Sequence, residues 1–199
     1  MTLAMDPESG ELVGPASAMQ AFLDSDEAPR AAREPAFRIW IEGDARRAEV
    51  LGDSTACMLV TDRPGGEHAV LTVAPAWIPA ALAVWLDLGP RQRPTEPAVR
   101  LDPGAMAILI GRGQAHGHGI GPDVAAALQR RLDGGVRHWT VRVQCPAWRR
   151  NLEILEGDGG IWRLRPTDGA IELGPTTTTD VVRELVALCE AARRASRER

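Results

Sequence analysis

His116 and His118, two residues apart, are the first side chains in this 199-residue chain whose type and spacing could do chemistry. Imidazole ligates zinc, but an i, i+2 pair on an extended segment points to opposite sides. Neither HExxH nor CxxC accompanies it, so further ligands would have to come from elsewhere. The plainer reading is a loop, because Gly111–Gly121 carries glycine at 111, 113, 117, 119 and 121. The same glycines superficially resemble a phosphate cradle, yet the Gly-Lys-Ser/Thr ending is missing. No Gly-x-Ser-x-Gly occurs, and Ser9, Ser17, Ser25, Ser54 and Ser196 fall in turns or terminal segments. Cys145 and His138 are seven residues apart on one expected strand, too far for a dyad and on opposite faces. Glu49 with Asp53 and Glu153 with Asp158 flank turns without an apolar pocket to split their acidities. The reading is a protein without catalytic, metal or cofactor residues.

Composition narrows the class further. The net charge is −4, so no global basic field draws nucleic acid or an anionic membrane. All 23 basic residues are arginine, tyrosine is absent, and six Trp outnumber two Phe. Part of this is a bias toward Ala, Gly, Pro and Arg codons. Apolar runs such as Ala80–Leu86 and Ala105–Ile110 fall far short of the roughly 20 residues a membrane helix needs. The start, Met1–Asp6, lacks the basic and apolar regions of a leader, which makes the cytosol the expected location. Cys57, Cys145 and Cys189 are odd in number and widely spaced, as expected of small buried hydrophobes rather than a disulfide framework.

The elements follow from periodicity. In residues 1–35 seven acids face only Arg30 and Arg33, which reads as an acidic mobile tail with one possible short helix, Ala16–Leu23. The rest, 36–199, reads as a single α+β domain. Phe37–Glu42 alternates with period two, and Ala48–Leu51, Ala56–Thr61 and His68–Val73 follow as strands. Helical spacing then runs through Pro75–Leu88 and stops at Gly89-Pro90. A proline-rich linker, a short strand Ala98–Leu101, a short helix Gly104–Ile110 begun by Asp102-Pro103, and a helix Pro122–Asp133 come next. Four more strands, Val136–Cys145, Asn151–Leu155, Ile161–Arg165 and Ala170–Leu173, precede a helix from Thr178 to Arg194, capped by Thr178 or Thr179.

Four strands and a helix therefore occur twice, at about 36–90 and 136–195. Ala48–Leu51 overlays Leu152–Leu155, Val70–Pro75 overlays Ala170–Pro175, and Leu82, Trp85 and Leu88 overlay Val182, Leu185 and Leu188. The expected fold is an antiparallel sheet of two pseudo-repeated four-strand meanders, each followed by a helix. On these strands Phe37, Ile39 and Ile41, then Trp139, Val141 and Val143, then Trp162 and Leu164 form the buried set. Arg38, Trp40, Arg142, Arg163 and Arg165 fall on the opposite set, a candidate protein-docking face because Arg and Trp are enriched in binding hot spots.

The runs Phe37–Trp40, Arg47–Asp53, Ala69–Pro75, Ala80–Leu86, Gly89–Pro94 and Ala98–Pro103 together resemble the middle of EspG-like proteins. These are cytosolic chaperones of the type VII (ESX) secretion systems of actinobacteria. Gly160–Pro166 and Val181–Leu188 resemble the family's end, so the likeness spans about 36–103 and 136–190. It implies a pseudo-twofold α+β protein that binds a secreted helical substrate of PE/PPE type and delivers it for export. The first segment of the family is replaced here by the acidic stretch, and Gly111–Gly121 also differs. The family's client-contacting residues follow no fixed motif, so none is carried over. The competing expectations are an immunity-type or other protein-binding module, and a small metal-dependent enzyme using His116 and His118.

Overall fold

The computed structural model describes residues 3–43, 46–91, 93–95, 97–112, 122–132 and 135–197. Its strands are β1 (Ala4–Met5), β2 (Leu12–Pro15), β3 (Phe37–Gly43), β4 (Arg46–Gly52), β5 (Cys57–Arg63), β6 (Glu67–Val73), β7 (Val99–Leu101), β8 (Arg137–Cys145), β9 (Trp148–Gly157), β10 (Gly160–Thr167) and β11 (Ala170–Thr176). Its helices are α1 (Ala16–Leu23), α2 (Arg30–Arg33), α3 (Ile78–Trp85, entered through a 3-10 turn at Pro75–Trp77), α4 (Pro103–Arg112), α5 (Pro122–Leu132) and α6 (Thr178–Arg197). The strands form one 11-stranded sheet in the order β1-β2-β6-β5-β4-β3-β8-β9-β10-β11-β7. The fold is the expected α+β class, built on a large antiparallel sheet with two meanders, β3–β6 and β8–β11, each followed by a helix.

The chain divides into two compact units. The first holds residues up to Val84 with Val141–Asn151 and the chain from Val186; the second holds Trp85–Thr140 and Leu152–Leu185.

In the first unit β3 pairs with β4 from Phe37↔Gly52 to Gly43↔Arg46, and β5 and β6 extend the meander antiparallel. The β5–β6 turn places Gly65 and Gly66 at φ 87° and 79°, a left-handed pair that only glycine enters without strain. Gly52 answers a different need. A Cβ there would stand 2.6 Å from Cys57 Sγ and 2.7 Å from the Phe37 ring. Asp53 then closes the β4–β5 connection, its Oδ1 accepting from Thr55 N and Oγ1, both at 2.6 Å, and from Ala56 N at 3.0 Å. Burial would raise the Asp53 pKa, but these hydrogen bonds outweigh it and hold the carboxyl below its usual range.

Residues 3–35 depart from the expectation of a mobile tail. β1 and β2 form a hairpin, and β2 pairs with β6 from Leu12↔Val70 to Pro15↔Glu67. The α1 helix forms over the expected residues, and Met19 is buried with Ala28, Ala32, Leu51, Met58 and Val70, with Leu12, Phe22 and Leu23 packed against them. The acid count misled because one counter-ion lies elsewhere in the sequence. Arg63 on β5 pairs with Glu11 and with Asp6, while Asp26 meets Arg33 at 2.5 Å and Glu34 meets Arg30 at 3.1 Å.

In the second unit β9, β10, β11 and β7 lie side by side, with Trp162↔Leu155 and Leu164↔Leu173 on one face. That face packs with Leu101, Met106 and Leu109 near and on α4, and with Leu128 and Leu132 of α5. Asp102 accepts from Ala105 N at 2.9 Å, the N-cap its position implied, but α4 runs on to Arg112 past the expected end at Ile110. The cap of α6 is Thr177, whose hydroxyl accepts from Asp180 N at 3.1 Å. Thr178, an expected cap, instead donates to Gly89 O at 2.8 Å and accepts from Arg91 N at 3.1 Å. Glu156, with its side chain 3% exposed, takes Arg91 Nε at 2.7 Å on one oxygen and an Arg137 terminal nitrogen at 2.6 Å on the other. Arg137 also reaches Asp87 at 3.4 Å and stacks over Trp139, whose ring meets Trp85 edge-on.

The internal repeat is in register along its second strands. Ala48, Val50 and Leu51 are buried, and so are Leu152, Ile154 and Leu155. The helices match three positions later than the sequence overlay. Ile78, Leu82 and Leu86 are buried where Val181, Leu185 and Cys189 are buried, so Leu82 corresponds to Leu185 rather than Val182.

Two outcomes test this packing. Met19→Ala should lower the unfolding free energy by about 2–4 kcal/mol in denaturant titration, where a mobile tail would leave it unchanged. The second is alkaline. Burial pushes the Cys57 thiol up to about 12, with the Asp53 charge adding to it, and burial pushes Cys189 likewise to about 12, with charge on Cys57 and Glu190 contributing. A raised thiol pKa stabilises the fold fully below the unfolded value of 9.0, and that stability is lost as pH rises toward 12. The slope should be roughly 1.4 kcal/mol per pH unit for each thiol. The chain has no Lys or Tyr to compete in this window. Unfolding titrations between pH 8 and 11 should show the decline, and replacing Cys57 and Cys189 together by Ala should flatten it.

Candidate functional site

The alternation of β3 turns Phe37, Ile39 and Ile41 inward and presents Arg38, Trp40 and Glu42 on the opposite face, as expected. Register then decides their neighbours. Trp40 lies opposite Glu49, Glu42 opposite Arg47, Val60 opposite Glu49, and His68 opposite Asp62. Helix α1 stands at the margin of this face, and between them opens a cleft of about 330 Å³. Met19, Leu23, Trp40 and Val60 give it apolar walls, Glu42, Arg47, Glu49 and Asp62 give it charge, and His68 adds an imidazole.

The carboxylates of this cleft are already engaged. Arg38 meets Glu49 at 3.2 Å, Arg142 of β8 meets Glu42 at 3.4 Å, and His68 Nδ1 lies 3.1 Å from Asp62 Oδ1. Among the described residues, no Ser, Thr or Cys lines the cleft. It offers an indole face, an aliphatic wall and carboxylates that are hydrogen-bonded or ion-paired. Such a surface recognises another molecule by shape, apolar contact and hydrogen bonding.

Three of the expected site residues, Arg38, Trp40 and Arg142, are thus brought to one face of the first unit. Arg163 and Arg165 belong to the second unit and differ from each other. Arg163 is only 14% exposed and forms a two-point pair with Glu184 of α6, at 2.9 and 2.6 Å, and donates to Leu164 O at 2.7 Å. The open face expected at Arg163 is corrected: α6 covers it there. Arg165 is exposed. His116 and His118 lie outside the described residues, as does all of the glycine-rich loop beyond Arg112. Among the described residues no three His, Cys, Asp or Glu side chains gather as a metal site.

Sequence reasoning missed Arg47, Asp62 and His68, and also the α1 side of the cleft. A signal for two of them was present. Counting outward from the Gly65-Gly66 turn sets Arg63 opposite Glu67 and Asp62 opposite His68.

No family model matches this sequence, and no curated protein matches it. Among solved structures the chain is similar to the Mycobacterium tuberculosis type VII secretion system chaperone EspG5, determined in complex with a PE25–PPE41 dimer. The TM-score is 0.50 at 12% identity, over 89% of this chain and 84% of that one. The fold is therefore EspG-like, and the likeness covers almost the whole of both chains.

The contrast between the two arginines of β10 is measurable. Arg163→Ala should cost about 1–2 kcal/mol, because it strands Glu184 beside the sheet, whereas Arg165→Ala should change stability by less than about 0.5 kcal/mol. Equal, small effects would mean that the Arg163–Glu184 pair is not formed in solution.

Proposed function

We propose that this chain is a non-enzymatic chaperone or adaptor of the cytosol that binds a secreted helical protein of PE/PPE type belonging to a type VII secretion system. The observation that carries this reading is the shared fold over nearly the full length of a chaperone held with a PE25–PPE41 dimer. The cleft supports it from the side of chemistry. Trp40 supplies a large rigid contact, and Arg38 and Arg142 are oriented beside it by Glu49 and Glu42 before any partner arrives. Arg165 is a further exposed contact on β10 in this reading. No helix among the described residues is long and apolar enough to cross a membrane.

Co-expression of the tagged chain with PE/PPE pairs from its own organism should recover a stoichiometric complex. Trp40→Ala should weaken that complex about 30-fold or more, and Arg142→Ala about tenfold, in calorimetric titration. Both variants should melt within a few degrees of the parent. A chain that retains no PE/PPE pair overturns the reading. A large loss of stability in Trp40→Ala would show that the indole serves the fold and that the contact surface lies elsewhere.

A further inference from the structure

Two arginines on the Trp40 side of the first unit have no counter-ion among the described residues, and that side can be followed from strand to strand. On β3 it carries Arg38, Trp40 and Glu42, and register sets Glu49 and Arg47 of β4 opposite Trp40 and Glu42. Arg142 of β8 belongs to it through its pair with Glu42. The other side of β8 and β9 is marked by Arg137 and Glu156, which pair with each other. Alternation therefore sets Arg142 of β8 and Arg149 of β9 together on the Trp40 side. Arg38 is taken by Glu49 and Arg142 by Glu42. Arg47 and Arg149 are exposed, and among the described residues they form no hydrogen bond or ion pair. Asp62, on β5, meets His68. Within the first unit, from β4 to the start of β9, Arg38, Arg47, Arg142 and Arg149 thus stand against Glu42 and Glu49 alone, in a chain whose net charge is −4.

We propose that this surface takes an acidic amphipathic helix of a protein partner, with an apolar residue seated on Trp40 and a carboxylate on either side of it, one reaching Arg47 and the other Arg149. The proposal rests on the reading of this face as the partner-binding surface and adds the chemistry that selects the partner. Charge is the first support. Two unpaired guanidiniums on a face whose other charges are neutralised attract carboxylates, and complementary charge of this kind selects partners and speeds their encounter. Spacing is the second. The strand order β4-β3-β8-β9 puts three strand-to-strand steps between the two arginines, about 14 Å in all. Two carboxylates two turns apart on one helix face are about 10.5 Å apart, and flexible arginine side chains close the difference. The third is what lies between them. Trp40 is half-buried, with Met19 and Val60 in the same cleft, so the middle of the site takes an apolar side chain. A nucleic-acid backbone fits worse, because its evenly spaced phosphates would pass over Glu42 and Glu49.

Two synthetic helical peptides of about 20 residues test this, each with Leu midway between two outer positions about two turns apart, which hold Glu in one peptide and Lys in the other. In fluorescence-anisotropy titrations with the full chain at about 50 mM salt, the Glu peptide should bind about tenfold tighter than the Lys peptide or better, and about 300 mM salt should weaken it about fivefold. Arg47→Glu and Arg149→Glu, each at an exposed position and each folded by circular dichroism, should lose about threefold or more of that binding, and the double variant should prefer the Lys peptide. Equal binding of the two peptides, no binding of either, or a Glu preference that survives in the double variant overturns the proposal. So does a single-stranded oligonucleotide of similar length that binds the parent more tightly than the Glu peptide and is lost in the double variant, since the arginines then serve phosphates. Capture of a PE/PPE pair separates this proposal from the one it rests on. A pair held equally by the parent and the double variant rejects the acidic helix and leaves the proposed function standing. A Glu-peptide preference in a chain that captures no PE/PPE pair rejects the proposed function and leaves the acidic-helix surface standing.

Discussion

A single buried carboxylate ties the second unit together. Glu156 sits on β9 with its side chain almost wholly removed from water, and each of its oxygens accepts from a different arginine. A carboxylate placed there alone would cost several kcal/mol of lost hydration. Arg91 and Arg137 offset that cost, and Asp87 beside Arg137 brings the group to two positive and two negative charges. The consequence is positional. Arg91 and Asp87 belong to the connection that leaves α3, Arg137 opens β8, and the Arg91 amide and Gly89 carbonyl both bond the Thr178 hydroxyl at the start of α6. The connection, two strands and the entry to the closing helix are therefore held by one charged group. Asp87 adopts a left-handed φ of 51° within it, a conformation that a non-glycine residue keeps only when its surroundings hold it there.

The fold repeats itself with a shift. The second strands of the two meanders match residue for residue in burial, while the two helices match only when α6 is moved three positions along. The difference lies in the connections. The 3-10 turn at Pro75–Trp77 delivers α3 to its strands at once, whereas α6 starts from the Thr177 cap. Three residues are close to one helical turn, so the same face returns to the sheet with the chain displaced along the helix axis. Amphipathic helices tolerate that displacement because burial depends on the face presented and not on which residue presents it.

The cleft near Trp40 combines an aromatic side chain with arginines held beside it by ion pairs to Glu49 and Glu42. Strand alternation set Trp40 opposite the inward Phe37, Ile39 and Ile41 without any tertiary information. The same alternation placed Arg163 on an equivalent side, yet α6 and its Glu184 occupy that position. Nothing in the period of β10 distinguishes a face that meets solvent from a face that meets a helix through an ion pair.

The sequence by itself determined the strand and helix order from Phe37 onward, the inward set Phe37, Ile39, Ile41, Trp139, Val141 and Val143, the α1 span and the Asp102 cap. It did so because these follow from local periodicity and from side chains bonding their own backbone within a few residues. Tertiary structure alone decided that residues 3–35 join the sheet, that Arg63 balances Glu11, that Glu156 gathers Arg91 and Arg137, and that His68 faces Asp62 in the Trp40 cleft. Each of these joins residues brought together by strand register or by docking of a distant element. Their energy comes from pairing a charge or burying a surface, and no single stretch of the chain carries both halves of the pair.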